Sequence, residues 1–307
     1  MIRPPALCEG DRIAVVAPAS PFSREEFYRG LEELRTFGLE PVFNESVFEK
    51  SDYVAGRASH RAKSFLEMWR DPSIAGVIAV RGGYGSAQLL PFLDTNDFQS
   101  TPKVLIGCSD ITSLLSFASI QCGMSVFHGP MIVTLGKGER LYDRSSLIGQ
   151  IMSGAAYGSL ICDGVEILKS GSSQGPIYGG TLTQIVASLG TPFSFKPPDK
   201  YVLLLDDVDE RPYRVDRMMN QLRQAGLLER ASALVCSEFQ GCAESEGELS
   251  ARSVLARYSS DINGPGLFGL RTGHTTFPMV TVPLGVKVSI QANSSVDVVI
   301  EEPAVQA

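Results

Sequence analysis

The chain has 307 residues, a formal net charge of −7, and 44% hydrophobic and 20% charged residues. This composition is that of a globular protein and excludes the disordered and fibrous classes. The acidic balance and the lack of a Lys/Arg cluster argue against nucleic-acid binding, because phosphate backbones are bound by clustered cations. At this length two domains are expected, since one hydrophobic core rarely grows further.

The amino-terminal stretch MIRPPALCEGDRIAV does not resemble an export signal or a membrane anchor. Prolines and charges precede its apolar run, and that run is too short to span a bilayer. We therefore expect a cytoplasmic protein that makes no membrane contact. The six cysteines lack CxxC or Cys/His spacing, which predicts free thiols and neither a disulfide scaffold nor a zinc site.

In the first half, short apolar runs alternate with amphipathic helical stretches, as in a parallel α/β sheet. In chain order the pattern predicts a strand at 13–17, a helix from a Ser23/Glu26 capping box to Gly38, a strand at 39–43 and a helix that begins at about Ser59 and ends before Asp71-Pro72.

Two further apolar runs lead directly into tight turns. The run 74–80 precedes Arg81-Gly82-Gly83-Tyr84-Gly85, and the run 104–106 precedes Gly107-Cys108-Ser109-Asp110, with a helical pattern after each turn. Ligands of open α/β sheets bind at the carboxyl ends of strands, where both turns must lie. We expect a Rossmann- or flavodoxin-like amino-terminal domain.

Gly and Ser punctuation at 156–175 predicts a linker between domains at 1–155 and 176–307. Beyond it, the pattern predicts a smaller carboxyl-terminal α/β domain, with the active site at the interface of the two. Its predicted elements are a helix at 182–189, a buried strand at 202–205, a helix at 215–222 and a closing strand pair that turns near Asn293.

Ser109 is the candidate nucleophile. A serine on a strand-to-helix turn is forced outward, and nearby amides point toward an approaching oxygen, a geometry that suits acyl transfer. The GxSxG signature is not met, because Ile111 replaces its second glycine. The competing interpretation is a serine that merely caps a helix.

The turn at 81–85 allows two interpretations: a phosphate cradle, or an oxyanion site built from backbone amides. Gln88 occupies the position of the third glycine of GxGxxG and no Walker lysine follows, which disfavours a nucleotide site. The oxyanion interpretation requires the amide of Gly83 to converge with that of Asp110.

Three histidines are available as a base. His60 is expected on a solvated helix surface, and His128 either supports the site or has a structural role. His274 lies in a polar loop and is the best candidate. The acid is expected at Asp206-Asp207, where a strand ends, and only one of two successive side chains can face a given cleft. A solvated loop or a metal site is the alternative for this acidic run.

Several segments together resemble the LD-carboxypeptidase (muramoyltetrapeptide carboxypeptidase) family over nearly the whole chain. They are RGGYG at 81–85, GCSD at 107–110, HGP at 128–130, GGTL at 179–182, GTP at 190–192, LDDVDERPYRVDR at 205–217, GH at 273–274 and PLG at 283–285, with Gly10-Asp11 and Ala17-Pro18 near the start.

The resemblance implies a two-domain serine peptidase that needs no cofactor or metal. It assigns Ser109 as nucleophile, His274 as base and Asp206 as orienting acid, with the amides of Gly83 and Asp110 as the oxyanion hole. Family members commonly have Glu at the position of Asp206, so Asp207 stays an alternative. Another departure is Thr181, where Asn is common. Arg81 and Tyr84 are candidates for binding substrate. Arg81 would bind the substrate's terminal carboxylate, and the alternative for it is a structural ion pair.

The implied reaction releases the terminal D-Ala from a murein tetrapeptide, as in peptidoglycan recycling. One alternative is a microcin-C-type immunity peptidase that cleaves a peptidyl or aminoacyl nucleotide; the only tryptophan, Trp69, is expected in the core, which leaves no obvious stacking surface. A second alternative is a non-catalytic protein that binds a small ligand. The resemblance also implies a homodimer.

Overall fold

The computed structural model describes residues 1–243 and 249–307. Its strands are β1 (Arg12–Val16), β2 (Glu40–Val42), β3 (Ile74–Ala79), β4 (Val104–Gly107), β5 (Val126–His128), β6 (Gly158–Ser159), β7 (Glu166–Lys169), β8 (Gly171–Thr181), β9 (Tyr201–Asp206), β10 (Ala231–Ser237), β11 (Gly266–Leu270), β12 (Val282–Leu284), β13 (Lys287–Ala292) and β14 (Val296–Ile300).

The α-helices are α1 (Arg24–Thr36), α2 (Ala58–Arg70), α3 (Thr95–Ser100), α4 (Thr112–Ser116), α5 (Ile132–Leu135), α6 (Arg144–Ile151), α7 (Leu182–Ser188), α8 (Pro212–Gln224), α9 (Leu227–Arg230) and α10 (Ala251–Tyr258). Short 3-10 helices span Glu45–Phe48, Ser86–Phe92, Ser109–Ile111 and Ser259–Asp261, and a π-helical turn spans Phe117–Gln121.

The first sheet has the strand order β2-β1-β3-β4-β5-β12. Its first five strands are parallel, in the order of a flavodoxin-like fold, and β12 is antiparallel to β5. The predicted parallel α/β sheet is therefore confirmed. β3 and β4 are both almost fully buried, as expected for central strands covered on two faces.

The second sheet has eight strands in the order β6-β14-β13-β8-β9-β10-β11-β7. The central strands β8 to β11 run parallel, and the outer pairings are antiparallel. The predicted strand at 202–205 is β9, and the predicted closing pair is β13 with β14. Strands β6 and β7 and the start of β8 lie within 156–175, so this stretch belongs to the sheet, and the domain boundary stays a prediction.

Strand β9 shows how the second sheet directs its side chains. Val202 and Leu204 belong to the large core cluster that includes the first sheet, whereas Leu203 and Leu205 pack in a separate cluster with α7, α8 and α10. Side chains of a strand alternate between faces. Asp206 consequently continues the face of Val202 and Leu204.

The predicted capping box was wrong, because the Ser23 side chain makes no capping hydrogen bond and Glu26 instead pairs with Lys137 at 3.5 Å. A helical segment follows each of the two turns, as predicted. After Gly85 it is a 3-10 helix that contains Pro91, which cannot donate a backbone hydrogen bond. After Ser109 it consists of successive 3-10, α and π turns. Among the described residues, no helix is both long and apolar enough to cross a bilayer.

Candidate active site

Ser109 occupies a strained turn directly after β4. Its φ is 60°, in the left-handed region that non-glycine residues rarely adopt. The neighbouring turn makes room for it: a Cβ on Gly82 would lie 2.8 Å from Ser109 Cβ and 3.0 Å from its Oγ. The side chain is half-buried, and its Oγ makes no hydrogen bond within residues 1–243 and 249–307.

The side chain of Asp110 ties the two turns together. Its carboxylate accepts hydrogen bonds from the amides of Gly85 at 3.3 Å and Ser86 at 2.8 Å, and Ser86 Oγ donates to the Asp110 carbonyl at 2.5 Å. Arg61, a buried side chain of α2, donates to the carbonyl of Gly85 at 2.9 Å. The turn at 81–85 is therefore fixed from both sides.

The amides of this turn are not equally engaged. Tyr84 donates to Ser20 Oγ at 3.1 Å, and the amides of Gly85 and Ser86 are taken by Asp110. By contrast, the amides of Gly83 and Asp110 find no acceptor in the part of the chain that the structure describes. Gly83 has a φ of 101°, which suits glycine. These two amides are available to an incoming oxygen.

His274 and Asp206 form a close pair. His274 Nδ1 lies 2.7 Å from Asp206 Oδ2, and the His274 amide donates to Asp206 Oδ1 at 3.0 Å. The carboxylate is fully buried, and it also accepts from Ser237 Oγ at 2.7 Å and Thr181 Oγ1 at 3.4 Å. With Nδ1–H donating to Asp206, Nε2 is left as the basic nitrogen.

Gly273 permits this approach. It has a φ of 70°, and a Cβ at this position would overlap the Asp206 carboxylate. A side chain before His274 would thus separate the imidazole from its acid. The GH dipeptide at 273–274 is explained by that contact.

The adjacent carboxylate faces the other way. Asp207 Oδ2 accepts from the amide and hydroxyl of Thr183 at 2.9 and 2.8 Å, and burial raises the pKa of Asp207 to about 6. Burial alone would lower the pKa of His274. The hydrogen bond and charge of Asp206, with the charges of Asp207 and Asp209, outweigh it and raise the pKa of His274 above 6.5.

A hydrogen bond between α4 and β8 links the serine turn to the second sheet, which carries this pair. The amide of Thr181, which is the partner of Asp206 in the β8–β9 register, donates to Thr112 Oγ1 at 3.0 Å. Burial and then the charge of Asp206 raise the pKa of the Cys108 thiol, next to Ser109. No hydrogen bond joins Ser109 Oγ to His274 within the described ranges. Such bonds are often long before substrate binds.

The other candidates lie at the rim or elsewhere. Arg81 is exposed and donates to the carbonyl of Pro21 at 3.0 Å, and Tyr84 is half exposed. His60 is exposed beside Glu49, as expected for a surface residue. His128 is fully buried. The described residues contain no group of three or more His, Cys, Asp or Glu side chains that could hold a metal ion.

Sequence reasoning missed the residues that support the site, namely Arg61, Thr112 and Ser237. A charged residue on the apolar face of α2 was a signal for Arg61, because a buried arginine requires several acceptors. No sequence signal identifies Thr112 or Ser237, since their partners are far away along the chain.

Both halves of the chain match domains of a known protein family. Residues 13–129 match the LD-carboxypeptidase N-terminal domain and residues 174–290 match the LD-carboxypeptidase C-terminal domain. The chain is 31% identical to the probable murein peptide carboxypeptidase of Bacillus subtilis, with 94% of this chain and 91% of that protein covered. It is 30% identical to the murein tetrapeptide carboxypeptidase of Pseudomonas aeruginosa, with 86% and 88% covered.

Among solved structures, the chain is similar to that of the microcin C7 self-immunity protein MccF in complex with aspartyl sulfamoyl adenosine. The TM-score is 0.90 at 25% identity, and both chains are covered completely, at 100% each. The two family domains are matched in order along the chain, and both of these carboxypeptidases are at least 30% identical to it over most of its length. The chain belongs to the LD-carboxypeptidase family of peptide hydrolases.

Proposed function

We propose that the protein is a serine carboxypeptidase that releases the terminal D-Ala from murein tetrapeptides. The observation that carries the proposal is the buried Asp206 bonded to both the ring and the amide of His274, on the side of β9 that faces the first sheet. A buried carboxylate in this position fixes the imidazole tautomer and stabilises the imidazolium that forms. Ser109, at the end of β4, is the nucleophile, and the active site lies at the interface between the two sheets.

In the proposed reaction, Ser109 Oγ attacks the carbonyl of the L-centre diamino acid while His274 Nε2 takes its proton. The amides of Gly83 and Asp110 stabilise the oxyanion, since both lack an acceptor among the described residues. His274 then protonates the amine of the departing D-Ala, and water releases the acyl-enzyme by the same path.

Substrate binding is assigned to the rim of the turn at 81–85. Arg81 is exposed, with one guanidinium nitrogen donating to the carbonyl of Pro21, and its other N–H groups would donate to the terminal carboxylate of the peptide. Tyr84 lies three residues away on the same turn and is half exposed. Both side chains would contact the substrate without taking part in proton transfer.

The expected environment is the cytoplasm. All six cysteines lie within the described residues as free thiols, which is typical of a reducing compartment. The homodimer implied by the resemblance stays a prediction.

A second candidate function, cleavage of an aminoacyl or peptidyl nucleotide, is favoured by one observation. Tyr53 and Tyr84 are 66% and 50% exposed and form an edge-to-face pair with ring centroids 5.5 Å apart. Ser20 links them, because its Oγ donates to the Tyr53 carbonyl at 3.0 Å and accepts from the Tyr84 amide at 3.1 Å. Exposed aromatic rings beside the turn at 81–85 form a surface on which a nucleobase can stack.

In the test, the purified protein is incubated with murein tetrapeptide and, separately, with an aspartyl adenylate amide. Both reactions are followed by mass spectrometry. We expect D-Ala release from the tetrapeptide by the unmodified protein and none above background from Ser109→Ala or His274→Ala. Turnover of the adenylate alone, lost in Tyr53→Ala/Tyr84→Ala, would establish the second function instead. Release that persists in Ser109→Ala, or that a chelator abolishes, contradicts the serine mechanism.

A further inference from the structure

His128 is a buried polar residue that the proposed reaction does not use. It lies at the end of β5, is fully buried, and pairs in the sheet with Gly107 of β4 and Val282 of β12. Its Nδ1 lies 3.1 Å from Thr272 Oγ1. Its Nε2 has no hydrogen-bond partner among the described residues. A buried imidazole of this kind needs a reason, since an unsatisfied polar atom is costly.

The direction of the His128–Thr272 hydrogen bond follows from the neighbouring contact. Thr272 Oγ1 donates its only proton to the carbonyl of Val280 at 2.9 Å. The hydroxyl oxygen must therefore accept from His128, which places the imidazole proton on Nδ1. Burial lowers the pKa of His128 to about 4, so this tautomer is neutral at physiological pH. Because the ring is fully buried, it is not exposed to a substrate.

Thr272 lies at the neck of the loop that carries His274, which is where Arg271 and Thr272 meet Val280. The loop, residues 271–280, leaves the second sheet after β11 and enters the first sheet at β12. Its ends are joined where the Val280 amide donates to the Arg271 carbonyl at 2.7 Å and where Thr272 bonds to Val280. At its tip, Thr276 donates twice to Glu238, at 2.9 Å each time. His128 is the residue of β5 that forms a hydrogen bond with this neck, through Thr272.

We propose that His128 is a positioning residue for the catalytic histidine. By donating to Thr272 it fixes the neck of the 271–280 loop, and so keeps the imidazole of His274 against Asp206. The inference rests on the proposed function of the site, because it gives His128 a role only in holding the base. Its effect passes through Thr272, one residue before Gly273 and two before His274.

The test separates the hydrogen bond from the bulk of the ring. His128→Asn keeps an N–H donor close to the position of Nδ1, whereas His128→Leu has similar bulk and no donor. Thr272→Val removes the acceptor and Thr272→Ser retains it. Val126→Ala, on the same strand, is the control for lost stability alone. For each variant we would measure the pKa of the His274 ring by NMR, the melting temperature, and kcat and KM for D-Ala release.

We expect kcat to fall about tenfold in His128→Leu and Thr272→Val, with KM unchanged, as the loss of one buried hydrogen bond predicts. The NMR pKa of His274 should fall in both variants, because the ring loosens from Asp206, whose hydrogen bond and charge raise it. His128→Asn and Thr272→Ser should restore both quantities. Val126→Ala should lower only the melting temperature.

The proposal is overturned if His128→Leu and Thr272→Val lose stability yet keep the kcat and the His274 pKa of the unmodified protein. It is also overturned if His128→Asn behaves like His128→Leu, since shape would then matter and the donor would not. Should His128→Leu fail to fold, the Thr272 pair gives the same decision. Because the NMR titration needs no substrate, it decides the role of His128 even if no D-Ala is released.

Discussion

The turn that carries Ser109 and the loop that carries His274 are held in different ways. Ser109 has no side-chain partner among the described residues; backbone strain and the close approach of Gly82 define its position. His274 is aligned by hydrogen bonds, with Asp206 itself held by Ser237 and Thr181. The proposed nucleophile is thus positioned sterically, whereas the proposed base is aligned by polar contacts.

The largest effect should come from the polar side of this comparison, with Asp206→Asn. An amide favours the wrong imidazole tautomer, which lowers kcat about 10⁴-fold in a comparable triad. His274 must be neutral to accept a proton, so kcat/KM of the unmodified protein should fall as the pH drops through its raised pKa, above 6.5. Without the Asp206 charge that pKa falls, and the acidic limb should move to lower pH.

The control is Asp207→Asn, whose carboxylate bonds to Thr183 and not to His274. It should shift the acidic limb in the same direction but by less, because Asp207 acts on His274 only through its charge. Assays of residual D-Ala release across pH 5 to 9 would check both variants. A greater loss in Asp207→Asn than in Asp206→Asn would reverse the assignment of the acid.

The second-largest effect is expected for Gly82→Ala, which tests whether steric contact positions Ser109. The new methyl group would lie 2.8 Å from Ser109 Cβ and must displace the nucleophile. Misplacement by about 1 Å can lower the rate about 100-fold. Gly76→Ala, on β3 before the same turn, meets its nearest atoms at 3.4 Å and should keep most activity. Equal rates for the two variants would show that the turn tolerates displacement of the serine.

The smallest effect is expected from Ser237→Ala, which removes one of the donors to Asp206. One neutral hydrogen bond contributes about 1 kcal/mol, so kcat should fall by about fivefold to tenfold. Ser232 lies on the same strand, and its hydroxyl donates to the Tyr201 carbonyl, away from the site. Ser232→Ala should therefore leave kcat unchanged. If both variants match the unmodified protein in a stopped assay, Asp206 does not depend on Ser237.

The elements of the first sheet and the positions of its two turns could be predicted, because apolar runs, glycines and helix stops are local signals. The grouping of side chains could not. Ser237 meets Asp206, and His128 meets Thr272, only through strand pairings between residues distant in sequence. The choice between Asp206 and Asp207 likewise required knowing which face of β9 is directed toward the first sheet.

Strand β12 has a consequence for how the molecule can be divided or can move. In chain order it follows β6 to β11 of the second sheet, yet it pairs with β5 at the edge of the first sheet. A fragment that stopped before it would leave the β5 backbone as an open edge, ready to pair with other chains. In the intact chain, the segment from β11 to β12 tethers one sheet to the other. Relative movement of the two sheets would therefore act on the 271–280 loop, which carries His274.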